Sequence, residues 1–434
     1  MASNTEKWSL KASPKYAAYG VERVMPPEKT VRAARSKLKD IGIQKEKDLL
    51  RVDTDGIPVF IMAARAEGAS DVIYYKGKGA TKAASKASVM MEAVERVCAK
   101  EWDGPVFYCD YESIKKKGAA VDPRDIYCRP DASCFDKEME WVEGYELVSG
   151  TPVFAPLNCV IHPYSRQPEF FFSGSIGLAS GNTYEEAICH GMCEAIEHDS
   201  MTIARTFLEL APRLYKKSAG GKESGTVEQP PDRDMFPRIS LEGLPQRAAE
   251  TVARLRAEEL LIYLRNITTD IGVPAAYCVI VRKNRTGSCF YYDGSGAHPD
   301  ARIAVTRALN EAAQSRSVLE WILNKHPEKY RQKAHFIDPD REFGSGDIIG
   351  FPEIKSYIYD SIDRDIRFMF RKMKTVGLDR VITFDLTKPD LHIPVVRILI
   401  PKLELWASMK AGRKVLGDRA RSVLWKYRDG FRTQ

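Results

Sequence analysis

The sequence Ser173-Gly174-Ser175-Ile176-Gly177-Leu178-Ala179-Ser180-Gly181-Asn182 is rich in glycine and leads directly into a stretch with helical spacing, residues 183–199. Polar residues in this region recur every four positions, with a further acid three positions on, so they share one helical face. They are Asn182, Glu186, His190, Glu194 and Glu197. The pattern predicts a glycine-rich loop followed by a helix with three acids and an imidazole on one side.

Carboxylates gathered on one helical face repel each other, by about 0.2–0.5 kcal/mol for each pair. This face carries no lysine or arginine that would offset the repulsion. A divalent cation would remove it, because oxygen ligands are those that Mg²⁺ prefers. For this helix taken alone, a solvated acidic face with His190 bonded to a neighbour is an equally good interpretation.

The same arrangement occurs twice more in the chain. Upstream, a loop with the sequence Lys76-Gly77-Lys78-Gly79 precedes polar residues at the same spacing, namely Ser88, Glu92, Glu95 and Arg96. Downstream, Gly294-Ser295-Gly296 precedes Arg307, Glu311 and Gln314. A glycine-rich loop before a helix offers backbone N–H groups to phosphate. Three such units therefore predict a site for a polyphosphate and its metal ions. A Walker-type P-loop is disfavoured, because Lys78 is followed by glycine and not by serine or threonine.

Composition indicates a globular chain with a large core: 434 residues, 44% hydrophobic and 29% charged. Residues 1–11 lack the apolar core of a signal peptide, and no apolar run approaches the roughly 18 residues that span a membrane. We therefore expect a cytoplasmic protein.

The nine cysteines include no Cys-x-x-Cys pair, which disfavours a disulfide framework or a structural zinc site. Cys189 and Cys193, one helical turn apart, could hold a metal, but small buried thiols are the better interpretation.

The formal net charge of +7 is concentrated at the C-terminal end, where residues 401–434 contain nine Lys or Arg and three Asp or Glu. This extension also carries an apolar face that includes Trp406, Met409 and Trp425. We expect a helix that docks on this protein or on a partner, and we consider nucleic-acid binding disfavoured.

Strand and helix patterns alternate along the chain and predict an α/β (α+β) fold with mixed sheets. A helix over residues 31–41 is entered through prolines. Strands are expected at 56–64 and 72–75, in a hairpin at 141–147 and 152–156, and at 260–264, 275–281, 380–386 and 393–401. We expect a single catalytic unit with its core at about 23–401, a mobile surface loop at 216–234, and a basic amphipathic extension at 402–434.

Three separated motifs resemble those of the YcaO family, in the same order. The first is Ser88-x-x-x-Glu92-x-x-Glu95-Arg96, and the second is Gly181-Asn182-Thr183 with Glu186, His190, Glu194 and Glu197. The third is His298-Pro299-Asp300 with Arg307-x-x-x-Glu311-Ala312-Ala313-Gln314-Ser315-Arg316. The resemblance covers about residues 23–401 and is more specific than any single glycine-rich loop.

The resemblance implies a non-Walker ATP-binding fold in which carboxylates hold Mg²⁺ ions that bridge the ATP phosphates. It implies the metal ligands Glu92, Glu95, Glu186, Glu194, Glu197 and Glu311. It implies that Ser88, Arg96, Asn182, His190 and Arg307 contact ATP or orient the carboxylates, and that Arg23, Thr30 and Lys78 are N-terminal phosphate contacts. For each of these residues, a structural role in helix packing is the alternative.

Members of this family use ATP to phosphorylate a peptide-backbone amide oxygen, which makes it a good leaving group. The chain departs from the family pattern at His198, where arginine is usual, and at His190, where glutamine is common; since histidine titrates near neutrality, a cationic contact at His198 is in doubt. The sequence ends in Gly430-Phe431-Arg432-Thr433-Gln434, without the alternating-proline tail of many azoline-forming members.

The absence of that tail favours peptide thioamide formation, for example of thioglycine. The resemblance to the thioamide-forming members then implies a sulfide source, a TfuA-type partner protein and a peptide or protein substrate, and we expect a homodimeric assembly. An azoline-forming cyclodehydratase and an amidine-forming enzyme are the alternatives within the same chemistry. A non-catalytic ATP-binding accessory protein, for example for ribosomal protein modification, is the alternative from another class.

Overall fold

The computed structural model describes residues 9–17, 22–38, 49–65, 72–126, 136–171, 173–218, 235–285, 287–326, 328, 335, 337–404 and 417–422. Its helices are α1 (Pro27–Lys37), α2 (Lys82–Cys98), α3 (Tyr111–Lys115), α4 (Tyr184–Ser218), α5 (Gln246–Ala257), α6 (Ala301–Lys325), α7 (Pro339–Phe343) and α8 (Ile362–Lys374). Short 3₁₀ turns lie at Pro123–Asp125, Leu157–Cys159 and Phe351–Glu353.

All eight predicted strands are present, and six further strands in the described part of the chain, among them one at Cys289–Ala297, were not predicted. In chain order the strands are β1 (Leu49–Arg51), β2 (Val59–Arg65), β3 (Val72–Lys78), β4 (Phe107–Cys109), β5 (Met139–Glu146), β6 (Thr151–Pro156), β7 (Leu178–Ser180), β8 (Arg238–Ile239), β9 (Leu261–Asn266), β10 (Ala275–Lys283), β11 (Cys289–Ala297), β12 (Ile348–Ile349), β13 (Ile382–Asp385) and β14 (Val395–Leu399). The hairpin predicted around Ser149 and Gly150 is β5–β6, with register Glu146↔Thr151 next to the turn.

Within the described residues, the strands form three sheets. The first is the antiparallel sheet β1-β2-β3, and the second has the order β11-β10-β9-β8-β12, in which only β12 runs parallel to its neighbour β8. The third has the order β4-β5-β13-β14-β7, with β6 paired to β5. The predicted mixed α/β fold is confirmed.

Two of the three predicted glycine-rich loops are largely strands, so this part of the prediction is wrong, whereas most of the third, at residues 173–182, is loop and turn as predicted. Lys76 and Gly77 belong to β3, Gly294 belongs to β11, and β7 lies inside the glycine-rich stretch before Gly181. A Cβ atom on Gly77 would overlap backbone atoms of Ser85 and Val89 in α2, and one on Gly294 would overlap Ala312 in α6. These glycines therefore allow each strand to lie close against the helix that follows it.

Close packing of strand and helix directs the polar faces of α2, α4 and α6 toward one another. Helix α2 packs on β3, α6 packs on β11 and β10, and α4 packs on β14, β7, β11 and α8. The turns between strand and helix are short, and their ends are capped: Thr81 accepts from the N–H of Ala84, and Asp300 accepts from the N–H of Arg302. Three separate clusters of buried apolar residues fix this arrangement.

Several predicted boundaries differ from the structure. Helix α1 begins at Pro27 and ends at Lys37, and residues 39–48, which include the predicted end of this helix, lie outside the described residues. The prediction of a loop at 216–234 is wrong for residues 216–218, because these residues belong to α4. Lysine has a good helix propensity, and the first glycines of this stretch, Gly220 and Gly221, come only after Ser218. The remainder, 219–234, lies outside the described residues.

The C-terminal extension is described only at 402–404 and 417–422, and there it docks on the rest of the protein. Arg419 Nε lies 2.9 Å from Oδ1 of Asp199, and Arg419 Nη2 lies 2.5 Å from Oδ1 of Asp270. None of the helices in the described part of the chain combines the length and apolar composition that a membrane span requires.

Candidate functional site

The segment before α1 lies against the start of α4. Arg23 Nη1 donates to Oε1 of Glu186 at 3.2 Å, and its Nη2 lies 2.9 Å from Nδ1 of His190. Asn182 donates to Glu186 at 2.8 Å and accepts from the hydroxyl of Thr30 at 3.0 Å. Burial and the charge of Arg23 hold the pKa of His190 well below its ordinary value. The imidazole is therefore a neutral acceptor for Arg23.

Arg307 joins α6 to α4 and to the N-terminal segment. Its Nη2 lies 3.7 Å from Oε2 of Glu197, and its Nη1 donates to Oε2 of Glu22 at 3.4 Å. The other oxygen of Glu197 accepts from the hydroxyl of Ser295 in β11 at 2.8 Å. Glu197 is only 4% exposed, so this part of the acidic face is not solvated.

Lys78, at the end of β3, joins the first motif to the third. Its ammonium group contacts Oε2 of Glu311, and its backbone N–H donates to the hydroxyl of Ser88 at 3.3 Å. The strand therefore supplies a cation next to a carboxylate from another motif, as a site for metal-bound phosphate requires.

The two acids of the first motif have different partners. Glu92 accepts from the N–H of Lys76 at 2.7 Å and lies 3.8 Å from Nη2 of Arg96. Glu95 accepts twice from Ser180, at 2.9 Å from the backbone N–H and at 2.8 Å from the hydroxyl. Ser180 belongs to β7, so Glu95 links the first motif to the second.

Two acids at the centre of the site lie in surroundings that disfavour their ionised form. Burial raises the pKa of Glu95 to about 7. Burial, together with the charges of Glu197 and Glu95, raises the pKa of Glu194 to about 8. Oε2 of Glu197 is buried and has no hydrogen-bond partner among the residues that the structure describes. Crowded carboxylates whose ionised form is disfavoured are a donor set that fits a divalent cation, since the cation would favour the ionised form.

All the predicted site residues lie in the described part of the chain, and these contacts and charge interactions join them in one cluster. Their individual roles as ATP or metal contacts stay predictions. Sequence reasoning missed Glu22, Ser180, Ser295 and Arg397. Glu22 adjoins Arg23, and both serines lie in the quoted glycine-rich stretches, but no local pattern identified the atoms that they contact.

Arg397 could have been identified from the sequence, because it is a charged residue within the otherwise apolar strand β14. Its guanidinium donates to the carbonyls of Val160, Ile176 and Gly174, at 2.9, 2.8 and 2.8 Å. Burial lowers its pKa to about 10, so it remains charged at neutral pH. Its charge, like that of Arg307, opposes the rise in the pKa of Glu194, whereas Nε2 of His198 lies 4.0 Å from this carboxylate. A permanent cation near Glu194 is therefore supplied by Arg397.

Cys189, Cys193 and His298 form a buried cluster whose possible ligand atoms lie within 4.8 Å of one another. Nδ1 of His298 accepts from the N–H of Asp300 at 3.0 Å. The neutral ring therefore carries its proton on Nε2 and has no free lone pair for a metal. A hydrogen bond with the Cys193 thiol, together with burial, raises the pKa of Cys189, which disfavours the thiolate that a metal needs. This geometry supports the interpretation of small buried thiols.

Comparisons with known proteins agree with the motifs. The family model of the YcaO cyclodehydratases, described as ATP- and Mg²⁺-binding, matches residues 76–404. An uncharacterized protein of Methanothermobacter thermautotrophicus is 30% identical over 415 residues, which are 90% of this chain and 97% of that protein. A protein of Rhizobium leguminosarum bv. trifolii, named for its place in the tfuA 3′ region, is 28% identical over 425 residues, with 93% of this chain and 95% of that protein covered.

The fold is also that of a solved member. The structure of YcaO from Methanopyrus kandleri bound with AMPPCP and Mg²⁺ aligns with a TM-score of 0.68 at 23% identity, over 93% of this chain and 97% of that chain. The resemblance inferred from the three motifs is confirmed by the family model, which spans all three of them. The chain therefore belongs to the YcaO family, whose members bind ATP and Mg²⁺.

Proposed function

We propose that this protein is an ATP-dependent enzyme that replaces the oxygen of a peptide-backbone amide by sulfur and so forms a peptide thioamide. The observation that carries the proposal is the gathering of carboxylates and cations from three helices and the N-terminal segment into one cluster. Such a cluster suits phosphoryl transfer, which depends on positioning and on neutralising charge.

We assign the metal ions to the carboxylates at the centre of the site. Mg²⁺ would neutralise the negative charge of the phosphates as it moves during transfer. The proposed ligands are Glu92, Glu95, Glu186, Glu194, Glu197 and Glu311. Ser180 and Ser295 orient two of these side chains by the hydrogen bonds described above. Arg397 keeps a positive charge near Glu194 while its own donors hold the backbone of the loop after Ser173.

The nucleotide contacts are assigned to the cations and polar groups around these acids. They are Arg23, Thr30, Lys78, Ser88, Arg96, Asn182, His190 and Arg307. In the structure, Arg23, Lys78 and Arg307 each contact a carboxylate. Binding of metal and nucleotide would exchange these pairs for carboxylate–metal and cation–phosphate contacts, so no buried charge would be left alone.

The proposed reaction balances without an oxidant or a reductant. The γ-phosphoryl group passes to the amide oxygen and ADP leaves. Hydrosulfide adds to the amide carbon, and the C–O bond then breaks with phosphate as the leaving group. The sulfur proton is lost to solvent or to the released phosphate, and the product is a thioamide.

Support for sulfur as the nucleophile comes from a relative. The Rhizobium protein is named for its place in the tfuA 3′ region and is similar over nearly its whole length. We therefore propose a TfuA-type protein as the partner of this chain, which would deliver sulfide or present the peptide. A homodimeric assembly is part of the same proposal.

The second candidate function is an azoline-forming cyclodehydratase, which the description of the family model favours. In that reaction, a Cys, Ser or Thr side chain of the substrate attacks the same activated amide and water is lost overall. Attack by an amine to give an amidine would use the same ATP site. A non-catalytic ATP-binding accessory protein would use the site for binding alone.

Peptide mass separates these candidates. The protein is incubated with ATP, Mg²⁺, sulfide and a peptide panel, with and without a TfuA-type protein, and a Glu194→Gln variant serves as the inactive control. ATP-dependent thioamidation predicts a gain of about 16 Da that Glu194→Gln abolishes, since transfer needs the metal site. A loss of about 18 Da would establish cyclodehydration instead. ATP binding with no mass change in any peptide would favour the accessory protein.

A further inference from the structure

Glu22 is an acid of the nucleotide site that belongs to none of the three motifs. Two hydrogen bonds hold the backbone that directly follows Glu22. The N–H of Tyr16 donates to the carbonyl of Arg23 at 3.0 Å, and the N–H of Val24 donates to Glu186 at 3.3 Å. The fold therefore places the backbone next to Glu22 through contacts that its own side chain does not make.

The carboxylate of Glu22 lies between two arginines from different parts of the chain. Its Oε2 is 3.4 Å from Nη1 of Arg307, and its Oε1 is 3.8 Å from Nη2 of Arg23. Both arginines are proposed phosphate contacts. An anion is therefore already present where the site would receive the anionic part of the nucleotide.

The second terminal nitrogen of each guanidinium group also contacts a carboxylate. Nη1 of Arg23 contacts Glu186 at 3.2 Å, and Nη2 of Arg307 lies 3.7 Å from Glu197. Loss of the negative charge at Glu22 would consequently leave both guanidinium groups anchored. The contribution of Glu22 is therefore its charge more than its ability to hold the arginines.

The charge of Glu22 is present throughout the physiological range. Burial alone would raise its pKa, but Arg307 and Arg23 outweigh burial and hold the pKa well below its ordinary value. The side chain is 25% exposed, so it can move aside when a ligand enters. A charged and displaceable carboxylate in a phosphate site repels a ligand in proportion to the ligand's negative charge.

We propose that Glu22 is a specificity-determining residue of the nucleotide site, whose negative charge between Arg23 and Arg307 selects the Mg²⁺ complex of the nucleotide against metal-free polyanions. A metal-free nucleoside triphosphate carries a charge of about −4 and its Mg²⁺ complex about −2, so the repulsion differs by about a factor of two. The inference rests on the proposed nucleotide contacts of Arg23 and Arg307 and is independent of the product that the enzyme forms.

The test is the affinity for AMPPCP measured by calorimetry, once with excess Mg²⁺ and once with EDTA. Glu22→Gln keeps the size of the side chain and removes its charge. If the variant binds Mg²⁺–AMPPCP about 3-fold more tightly than the wild type, it should bind metal-free AMPPCP about 10-fold more tightly, since the energy scales with ligand charge. The preference for the Mg²⁺ complex would then fall about 3-fold.

Two matched variants control for size and for net charge. Glu22→Asp keeps the charge and should keep the wild-type preference. Glu242→Gln removes one negative charge at a side chain that is 84% exposed. Because salt screens an exposed charge, this variant should keep the wild-type preference for the Mg²⁺ complex.

The outcomes separate this inference from the proposed function. A preference that stays at the wild-type value in Glu22→Gln would overturn the inference, as would weaker binding of both ligands, which would mean that Glu22 holds the arginines. Absence of AMPPCP binding in the wild type would overturn the nucleotide contacts themselves. Failure to form a thioamide, with the predicted change in preference intact, would affect only the proposed reaction.

Discussion

Glu95 in α2 accepts two hydrogen bonds from Ser180 in β7, at 2.9 Å from the backbone N–H and at 2.8 Å from the hydroxyl. The two residues are 85 positions apart in the chain. Because Ser180 precedes α4 by only a few residues, this contact joins the acids of the first motif to those of the second. It also lowers the pKa of a carboxyl group whose burial raises it.

Replacement of Ser180 by alanine should weaken the proposed metal site without disturbing the fold. Glu95 would keep the backbone hydrogen bond and lose the hydroxyl, and a hydrogen bond to a charged group contributes about 1.5–3 kcal/mol. We expect the Mg²⁺ affinity, measured by titration in the presence of AMPPCP, to fall about 10-fold or more. Ser36→Ala removes an exposed hydroxyl that bonds to the carbonyl of Ala33 and is the control. Equal Mg²⁺ affinity in the two variants would contradict the proposed role of Glu95.

The stability of the metal-free protein should fall as the pH rises. Glu95 and Glu194 have pKa values of about 7 and about 8 in the folded protein, above the value of about 4.3 for an unfolded chain. Between about pH 4.5 and pH 8 the folded state binds protons that the unfolded state has released, so the free energy of unfolding decreases through this window.

Melting temperature against pH, with EDTA and with Mg²⁺–AMPPCP, measures this effect. Binding of Mg²⁺–AMPPCP should reduce the loss of stability with rising pH, because a divalent cation favours the ionised carboxylates. The double variant Glu95→Gln and Glu194→Gln should show a shallower decline in EDTA than the wild type. Parallel curves for the double variant and the wild type would show that other groups cause the pH dependence.

The strand glycines should be far less tolerant of substitution than a glycine in open space. A Cβ at Gly77 would overlap the backbone of α2, whereas one at Gly174 would meet nothing within 4 Å. We expect Gly77→Ala to lower the free energy of unfolding by about 1–3 kcal/mol or more and Gly174→Ala to change it little. Urea unfolding of both variants checks this. A similar loss of free energy of unfolding in Gly77→Ala and Gly174→Ala would show that the strand glycines are not needed for close packing.

The docked C-terminal segment should contribute to stability through one buried ion pair. The side chain of Asp199 is 0% exposed and that of Arg419 is 9% exposed. Arg419→Ala would leave the Asp199 carboxylate without this cation, which for a buried pair costs about 3–5 kcal/mol. Arg421→Ala changes a side chain that is 63% exposed and should have little effect. Equal melting temperatures of these variants would argue against docking of residues 417–422 in solution.

Eight of the strands and the acidic faces of three helices could be predicted because they depend on local spacing, whereas α5, α8 and β11 were not predicted. Apolar runs predicted β13 and β14, and the four-residue spacing in α4 placed Glu186 and Glu194 on one face. The glycine-rich stretches at 76–79 and 294–296 were misread because a glycine that permits a turn and a glycine that permits close packing look the same in sequence. Partners such as Ser180 for Glu95 could not be predicted, since they depend on how separate elements pack.

The proposed activation of an amide by phosphoryl transfer is tested most directly by the fate of the amide oxygen. A substrate peptide labelled with heavy oxygen at the modified carbonyl is converted in the presence of ATP, Mg²⁺ and sulfide. The masses of the released phosphate and of the peptide are then measured by mass spectrometry. The account predicts that the label appears in phosphate, in equal amount to the ADP formed and to the thioamide. Label that stays in the peptide or appears in water while ADP accumulates would contradict it.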